Sequence, residues 1–450
     1  MLLRHDLSSA GAVMTSIIFG SGLAARPRRK RSAAAGALPW LLALGLAAPL
    51  VASAQAEDDD AVAPAAEAPQ SRDALGGDWG GLRDTLGEHG IRFNLWTTGF
   101  TQAMFQGTGD NGWDIGGRAD LLLDADLWEG GGLHTHFEYR SGNVPGERGG
   151  TTLPLHSGGH FPIDSLDDLV VSSLYVSQRF GDSTRLMLGK INVIDLLARH
   201  PFFGGWGTDR FHSAAFVIPP NGITPPVIKG AILTHSFAPY ALTAMVFDPN
   251  DRSTSDSIGD LFDDGVTVSL GLSWSGELAG RRSSAGVTAV YSTAESIDYR
   301  ELGLPPGTES GAPATKDGSY NFMIEGSHLL VESSSAPGQG LGVYVRAAVA
   351  DGNPNLVQGM VVAGIAGHAL VPGRPDDYFG AGYYYYNFSD DLQNALRPTR
   401  RFENESGVEV FYTYVPVPWL RLSALLQWVD PAEGANETIW LGGLRVRIAL

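Results

Sequence analysis

The sequence predicts an all-β chain that closes as a transmembrane antiparallel barrel of about 16 strands, with inward-folded loops and a short helix before the first strand. Three observations predict it. Segments of about ten residues alternate apolar with small or polar side chains, separated by Gly, Asp, Pro, Asn and Ser, the rhythm of strands with one greasy and one wet face. No apolar run after residue 56 approaches the ~18–20 residues of a spanning helix. Gly supplies 58 of 450 residues, nearly twice the usual ~7%, spread through a chain that is 43% hydrophobic, so an ordered architecture is using it.

The elements follow in chain order. Arg26, Arg28, Arg29, Lys30 and Arg31 precede the apolar stretch Ala33 to Leu50 and the small-x-small pattern Ala54-Gln55-Ala56, so residues 1–56 read as a secretory signal peptide with an upstream extension. Pro39 and Pro49 leave too short an apolar core for a spanning anchor. Residues 57–76 read as an acidic, Ala/Pro-rich flexible lead-in, and 77–450 as the barrel. Leu82 and Leu86, with Arg83 and Glu88 outward, predict a short helix within 78–90, ended by Gly90. Strands are expected around 91–101, 117–127, 131–141, 168–179, 183–192, 226–236, 239–247, 265–275, 284–293, 319–332, 340–350, 356–367, 377–388, 406–415, 418–428 and 438–450.

The last segment is the clearest. Trp440, Gly442, Leu444, Val446, Ile448 and Leu450 share one face and Arg445 and Arg447 the other. Leu133, Thr135, Phe137 and Tyr139 likewise oppose His134, His136, Glu138 and Arg140, and Ala119, Leu121, Leu123 and Ala125 oppose Arg118, Asp120, Leu122 and Asp124. Unpaired charges in a dry core cost several kcal/mol each, so the charged phase implies a hydrated interior. Trp96, Trp128, Tyr139, Trp274, Tyr383 to Tyr386, Tyr412, Tyr414, Trp419, Trp428 and Trp440 are expected to form interfacial girdles. The phase of Lys190 and Lys229 is not fixed by the pattern.

Composition excludes several functions. With 31 Lys+Arg against 49 Asp+Glu, the chain is too acidic for general nucleic-acid binding. Zero Cys rules out disulfide scaffolds, Cys-ligated metals and a Cys nucleophile. No Gly-x-Ser-x-Gly elbow is present, and no catalytic residue or cofactor is expected. His134-x-His136, with His156 or His160 from the next loop, could hold a metal, but a wet wall accounts for these residues without one.

Gly77-Asp78-Trp79-Gly80-Gly81-Leu82-Arg83 with Gly90-Ile91, then Gly117-Arg118-Ala119-Asp120, Gly340 to Ala347, and above all Leu370-Val371-Pro372-Gly373-Arg374-Pro375-Asp376-Asp377 with Gly380 and Gly382, resemble successive blocks of the carbohydrate-selective outer-membrane porins of the OprB type. Glu405 to Tyr414, Pro418-Trp419-Leu420 and Leu441 to Leu450 extend the resemblance over 77–450. Residues 251–318 do not align, and Leu450 stands where an aromatic terminus is common. The resemblance implies a sixteen-stranded barrel through which glucose and related sugars diffuse across a Gram-negative outer membrane.

A sugar offers vicinal hydroxyls and weakly apolar ring faces, which Arg forks, carboxylates and aromatic faces recognise. The candidate pore-lining and constriction residues are Arg118, Asp120, Glu138, Arg140, Trp206, Arg210, Glu325 and Arg346. A bare barrel of this size would pass almost any small solute, so a loop must narrow it. Residues 142–167 and the aromatic-rich 195–225 are long enough, and the second is expected to enter the lumen, with Trp206 or Phe211 either facing the sugar or pinning the loop to the wall. Partners are then sugars and outer-membrane lipid; monomer and homo-oligomer both fit. A phosphate or acidic-sugar channel would carry excess Lys/Arg at its constriction, and a general porin would discriminate by size alone.

Overall fold

The computed structural model describes residues 72–450 apart from 110, 143–148, 164, 199, 220–222, 257, 303–313, 333–339 and 369–370. The expected signal peptide and residues 57–71 of the expected lead-in lie outside the described residues. A helix, α1 (Leu82–Glu88), precedes sixteen strands: β1 (Ile91–Gln106), β2 (Trp113–Trp128), β3 (Gly131–Gly142), β4 (Leu169–Phe180), β5 (Thr184–Asn192), β6 (Val227–Phe237), β7 (Tyr240–Phe247), β8 (Thr267–Leu278), β9 (Arg281–Ile297), β10 (Thr315–Glu332), β11 (Gly340–Ala350), β12 (Val357–His368), β13 (Tyr378–Phe388), β14 (Glu405–Val417), β15 (Leu420–Asp430) and β16 (Ile439–Ala449). Each strand pairs antiparallel with its sequence neighbours, and β1 closes the ring on β16. Closure leaves no sheet edge, which lets a sheet cross hydrocarbon with its backbone bonds satisfied.

The first described residues and the C-terminal strand meet at one end. The Leu75 amide donates to the Ala449 carbonyl (2.9 Å), and Arg83 of α1 donates to the Phe93 and Leu450 carbonyls (3.0 and 2.7 Å), so the chain is fastened to the rim before β1 begins. That end carries tight turns, such as 129–130, 238–239, 279–280 and 418–419, and the opposite end carries long connections. The two-residue alternation sets the faces as the last strand shows: Trp440, Leu444 and Val446 are exposed on the outer wall, whereas Arg445 and Arg447 point in.

The interior is not an empty tube. The β3–β4 and β5–β6 connections fold into it, carrying the short helices α2 (Ser157–His160), α3 (Val193–Leu197) and α4 (Ala214–Val217). Phe202, Phe203, Phe211 and Phe216 of the second connection join Tyr344, Tyr378, Tyr384 and Phe411 of the wall in one buried cluster. Phe211 stacks on Phe216 at 4.4 Å between centroids and meets Phe411 edge-on at 4.8 Å. Gly380 and Gly382 make room, since a Cβ at either would come within 2.5 Å of the Phe411 or Phe216 ring.

This corrects part of the expected girdle. Trp128, Tyr383, Tyr385, Tyr414 and Trp440 stand on the outer wall, but Trp96, Tyr384 and Tyr386 are buried inside. A strand cannot present four consecutive tyrosines to one face, so the run at 383–386 divides two and two. Lys190 and Lys229 face each other across β5 and β6 in the phase of the exposed Leu174, Leu188 and Leu233. Lys190 pairs there with Asp256 of the β7–β8 connection (3.2 Å), in which Arg252 bridges Asp248 and Asp260 (2.8 Å each).

Candidate functional site: the lumen and its two inward connections

Arg118, Asp120, Glu138 and Arg140 come together as a ladder across β2 and β3, in the register Arg118 opposite Arg140 and Asp120 opposite Glu138. Arg118 Nε donates to Asp120 Oδ2 (3.0 Å) and its Nη2 to Glu138. The same guanidinium donates through Nη1 to the carbonyls of Phe161 (3.0 Å) and Gly158 (3.3 Å). Arg140 donates to the Pro162 carbonyl (2.7 Å), to Ser165 Oγ (3.0 Å) and to the Gly159 carbonyl. These donors satisfy carbonyls of a buried turn. Arg118 is only 1% exposed and Arg140 5%, so both lie beneath α2 and its flanks. Asp120, His136 and Glu138 sit close enough to suggest a cation site, but the Arg118 guanidinium already donates to both carboxylates.

The second connection is held in the same manner. Glu409 accepts from the consecutive amides of His212 (2.7 Å) and Ser213 (2.8 Å), and Arg445 donates to the carbonyls of Gly207 and Arg210 (2.9 Å each). Arg210 turns into its own loop, donating to the His200 and Phe203 carbonyls and lying 5.3 Å over the Tyr378 ring. Trp206 occupies the left-handed region (φ 57°), uncommon for a bulky residue, in a run whose glycines 204, 205 and 207 also have positive φ. Its Nε1 donates to Asp195 (2.8 Å), and its ring packs 5.4 Å from Trp96. The Arg447 guanidinium lies 4.4 Å from the Trp96 centroid and 5.8 Å from that of Trp206, while Asp209 pairs with Arg421 (2.9 Å) and Arg447 (3.5 Å).

Both connections press on one side of the interior, and the other side is lined differently. On β6 to β10 the phase opposite the exposed Leu233, Leu242, Leu270, Leu272 and Val287 presents Thr234, Thr243, Ser273, Ser284, Thr288 and Ser327, none of them buried. Thr234 meets Thr243 at 3.3 Å and Ser284 meets Ser327 at 2.7 Å. Glu325 stands within this hydroxyl arc with 35% of its side chain exposed, and Arg346 behind it donates to Oε2 (3.0 Å) while lying 4.0 Å over the Phe203 ring. Gly286 gives Glu325 its space, for a Cβ there would reach 3.3 Å from Glu325 Cγ. Of the eight candidates, four thus form the covered ladder, Trp206 and Arg210 belong to the second connection, and Glu325 and Arg346 form a pair at the arc. A search for charged residues does not single out these serines and threonines; their signal in the sequence is Ser269-Leu270-Gly271-Leu272-Ser273-Trp274-Ser275, small or polar at every second position.

Burial keeps the histidines of the connections uncharged. His156 and His160 are pushed down to about 3 by burial, with Arg445 and Arg140 respectively adding to the effect. His200 is pushed to about 3 by burial and by Arg346, and His212 falls well below the ordinary imidazole range for the same first reason, with Arg445 next. Burial raises the Asp209 carboxyl, but Arg421 and Arg447 outweigh it and hold it below the usual carboxylate range. Histidines depressed in the folded state take up protons first when released, so their contribution to the packing of the connections is full above pH 6.5 and is lost as pH falls toward 3. Opening events in planar bilayers are expected to become more frequent between pH 6.5 and 4; identical records at pH 7.5 and 4 would contradict this.

Comparison with known proteins agrees with the geometry. The family model described as carbohydrate-selective porin, OprB family, matches residues 110–450. A curated relative from Acinetobacter baylyi that carries a porin's name, QuiX, is 26% identical over 259 residues, 50% of this chain; the match spans little more than half (56%) of that relative's length. Among solved structures, the high-pH form of Pseudomonas putida OprB superposes with a TM-score of 0.74 at 17% identity, covering 85% of this chain and 100% of that one. The outer-membrane channel DcaP of Acinetobacter baumannii gives 0.52 at 12% identity, with 80% and 97% covered. The barrel is an outer-membrane one, its tight-turn end periplasmic and its long connections extracellular. The chain belongs to the OprB family of carbohydrate-selective porins.

Proposed function

We propose that the channel passes neutral monosaccharides such as glucose by facilitated diffusion along the hydroxyl arc of β6 to β10, past the Glu325–Arg346 pair. The observation that carries this reading is the partly exposed Glu325 carboxylate, backed by Arg346 and set among Thr243, Ser284, Thr288 and Ser327. Hydroxyls exchange hydrogen bonds with a sugar at little net gain or cost, which suits a channel that must release what it admits. The guanidinium of Arg346, though mostly covered, orients a carboxylate that can accept from two sugar hydroxyls. Trp206, beside Arg447 and Asp209, supplies an aromatic face and paired charges farther toward the periplasmic mouth.

A general porin, or a channel for anions and acidic sugars, is the competing reading. An anion path calls for exposed cations at mid-wall, whereas the arginines of the ladder are covered by the first inward connection. Liposome swelling with glucose, larger oligosaccharides, phosphate and simple salts tests the choice. The proposal expects glucose to outrun salts and charged solutes of similar size; permeation ranked by size alone, or faster for phosphate, overturns it.

A further inference from the structure

We propose that Glu409 and its partner Gln427 are positioning residues that set the aperture of the passage, through one node that fastens both inward connections to the wall. The two side chains face inward opposite each other on β14 and β15. Glu409 receives the amides of His212 and Ser213, two adjacent N–H groups converging on one carboxylate, the concave arrangement by which backbone binds anions. Gln427 Nε2 donates both to Glu409 Oε2 (2.9 Å) and to the Leu155 carbonyl of the first connection (3.0 Å). The connections are tied to each other at the same place, where the Ser157 amide and hydroxyl donate to the His212 carbonyl, the amide at 2.7 Å. Arg445 on β16 completes the fastening through the Gly207 and Arg210 carbonyls.

The node lies on the side of the barrel opposite the hydroxyl arc, so it touches nothing that a solute in the arc would touch. Its effect on permeation must pass through the loops. Ion pairs and hydrogen bonds to buried backbone are costly to lose when one partner is removed, and a loop freed from 207 to 213 withdraws Trp206 and Phe203 from their seats against Trp96, Tyr344 and Arg346. Emptying that volume returns the lumen toward the open bore of an unplugged sixteen-strand barrel.

The test uses full-length Glu409→Ala, Glu409→Gln and Gln427→Leu, purified as heat-modifiable folded barrels and reconstituted in planar bilayers. Potassium chloride conductance and the cut-off for neutral polyethylene glycols are measured, so the outcome does not depend on whether sugars are the solute. Glu409→Ala is expected to raise conductance at least about twofold and admit larger polymers, with Gln427→Leu moving both in the same direction by less. A folded Glu409→Ala channel with wild-type conductance and cut-off overturns the proposal. Should that variant not fold, the reading passes to Glu409→Gln, which keeps the shape and loses one of two amide acceptors; wild-type values there overturn it equally. A merely structural role would lower thermal stability and leave the polymer cut-off in place.

Discussion

Arg118→Ala is expected to destabilise the barrel by about 3–5 kcal/mol, the cost of stranding buried charge. The truncation leaves the Asp120 and Glu138 carboxylates in a covered site without the cation that donates to both, and removes the donors to the Gly158 and Phe161 carbonyls. The first inward connection then has a weaker seat on β2, and its loss exposes the ladder to water. Urea unfolding followed by heat-modifiable mobility measures the change. Adding Asp120→Asn and Glu138→Gln should recover part of it, because the stranded charges go with the guanidinium. A single Arg118→Ala variant as stable as wild type would mean that the ladder is already hydrated and that the covering turn is not held by it.

Glu325→Gln is expected to change permeation more than any other substitution that spares the fold. The carboxylate is a partly exposed charge in the arc, and its removal leaves the covered Arg346 guanidinium behind it without its counter-charge. Charge near a constriction acts through a reduced dielectric, so the cation-to-anion permeability ratio should fall by about tenfold, equivalent to ~1.4 kcal/mol. Reversal potentials in asymmetric potassium chloride give the ratio, and the block of ion current by glucose should weaken in the same channels. Unchanged reversal potential and sugar block would remove Glu325 and Arg346 from the path.

Much of this architecture was legible in the sequence because the bilayer enforces a strict rhythm. Arg445 and Arg447 between Leu444, Val446 and Ile448 can satisfy lipid and lumen in only one register, and the same holds for Arg118 and Asp120 on β2. What was not legible is what covers the inward phase. Alternation says that Arg118 and Glu138 point into the lumen, but their depth beneath α2 depends on a turn at Gly158, 40 residues along the chain from Arg118. The aromatic richness of 202–216 signalled packing without saying which strands it meets, since its partners Tyr344, Tyr384 and Phe411 lie in three different strands. Tyr384 and Tyr386 looked like girdle residues because an aromatic at a strand end serves lipid and core equally well. The hydroxyl arc is hidden in the sequence for the opposite reason: serine and threonine are common in turns, and only their phase along β6 to β10 distinguishes them.

The most direct measurement exploits the absence of native cysteine. Single cysteines introduced at Thr243, Thr288 and Ser327 of the arc, and at Thr98 and Thr413 beneath the inward connections, are exposed to charged methanethiosulfonate reagents during current recording. The path described here predicts rapid modification and partial block at the three arc positions and none at the two covered ones. Fast block at Thr98 or Thr413 with silence along the arc would place the water on the other side of the barrel, against the ladder.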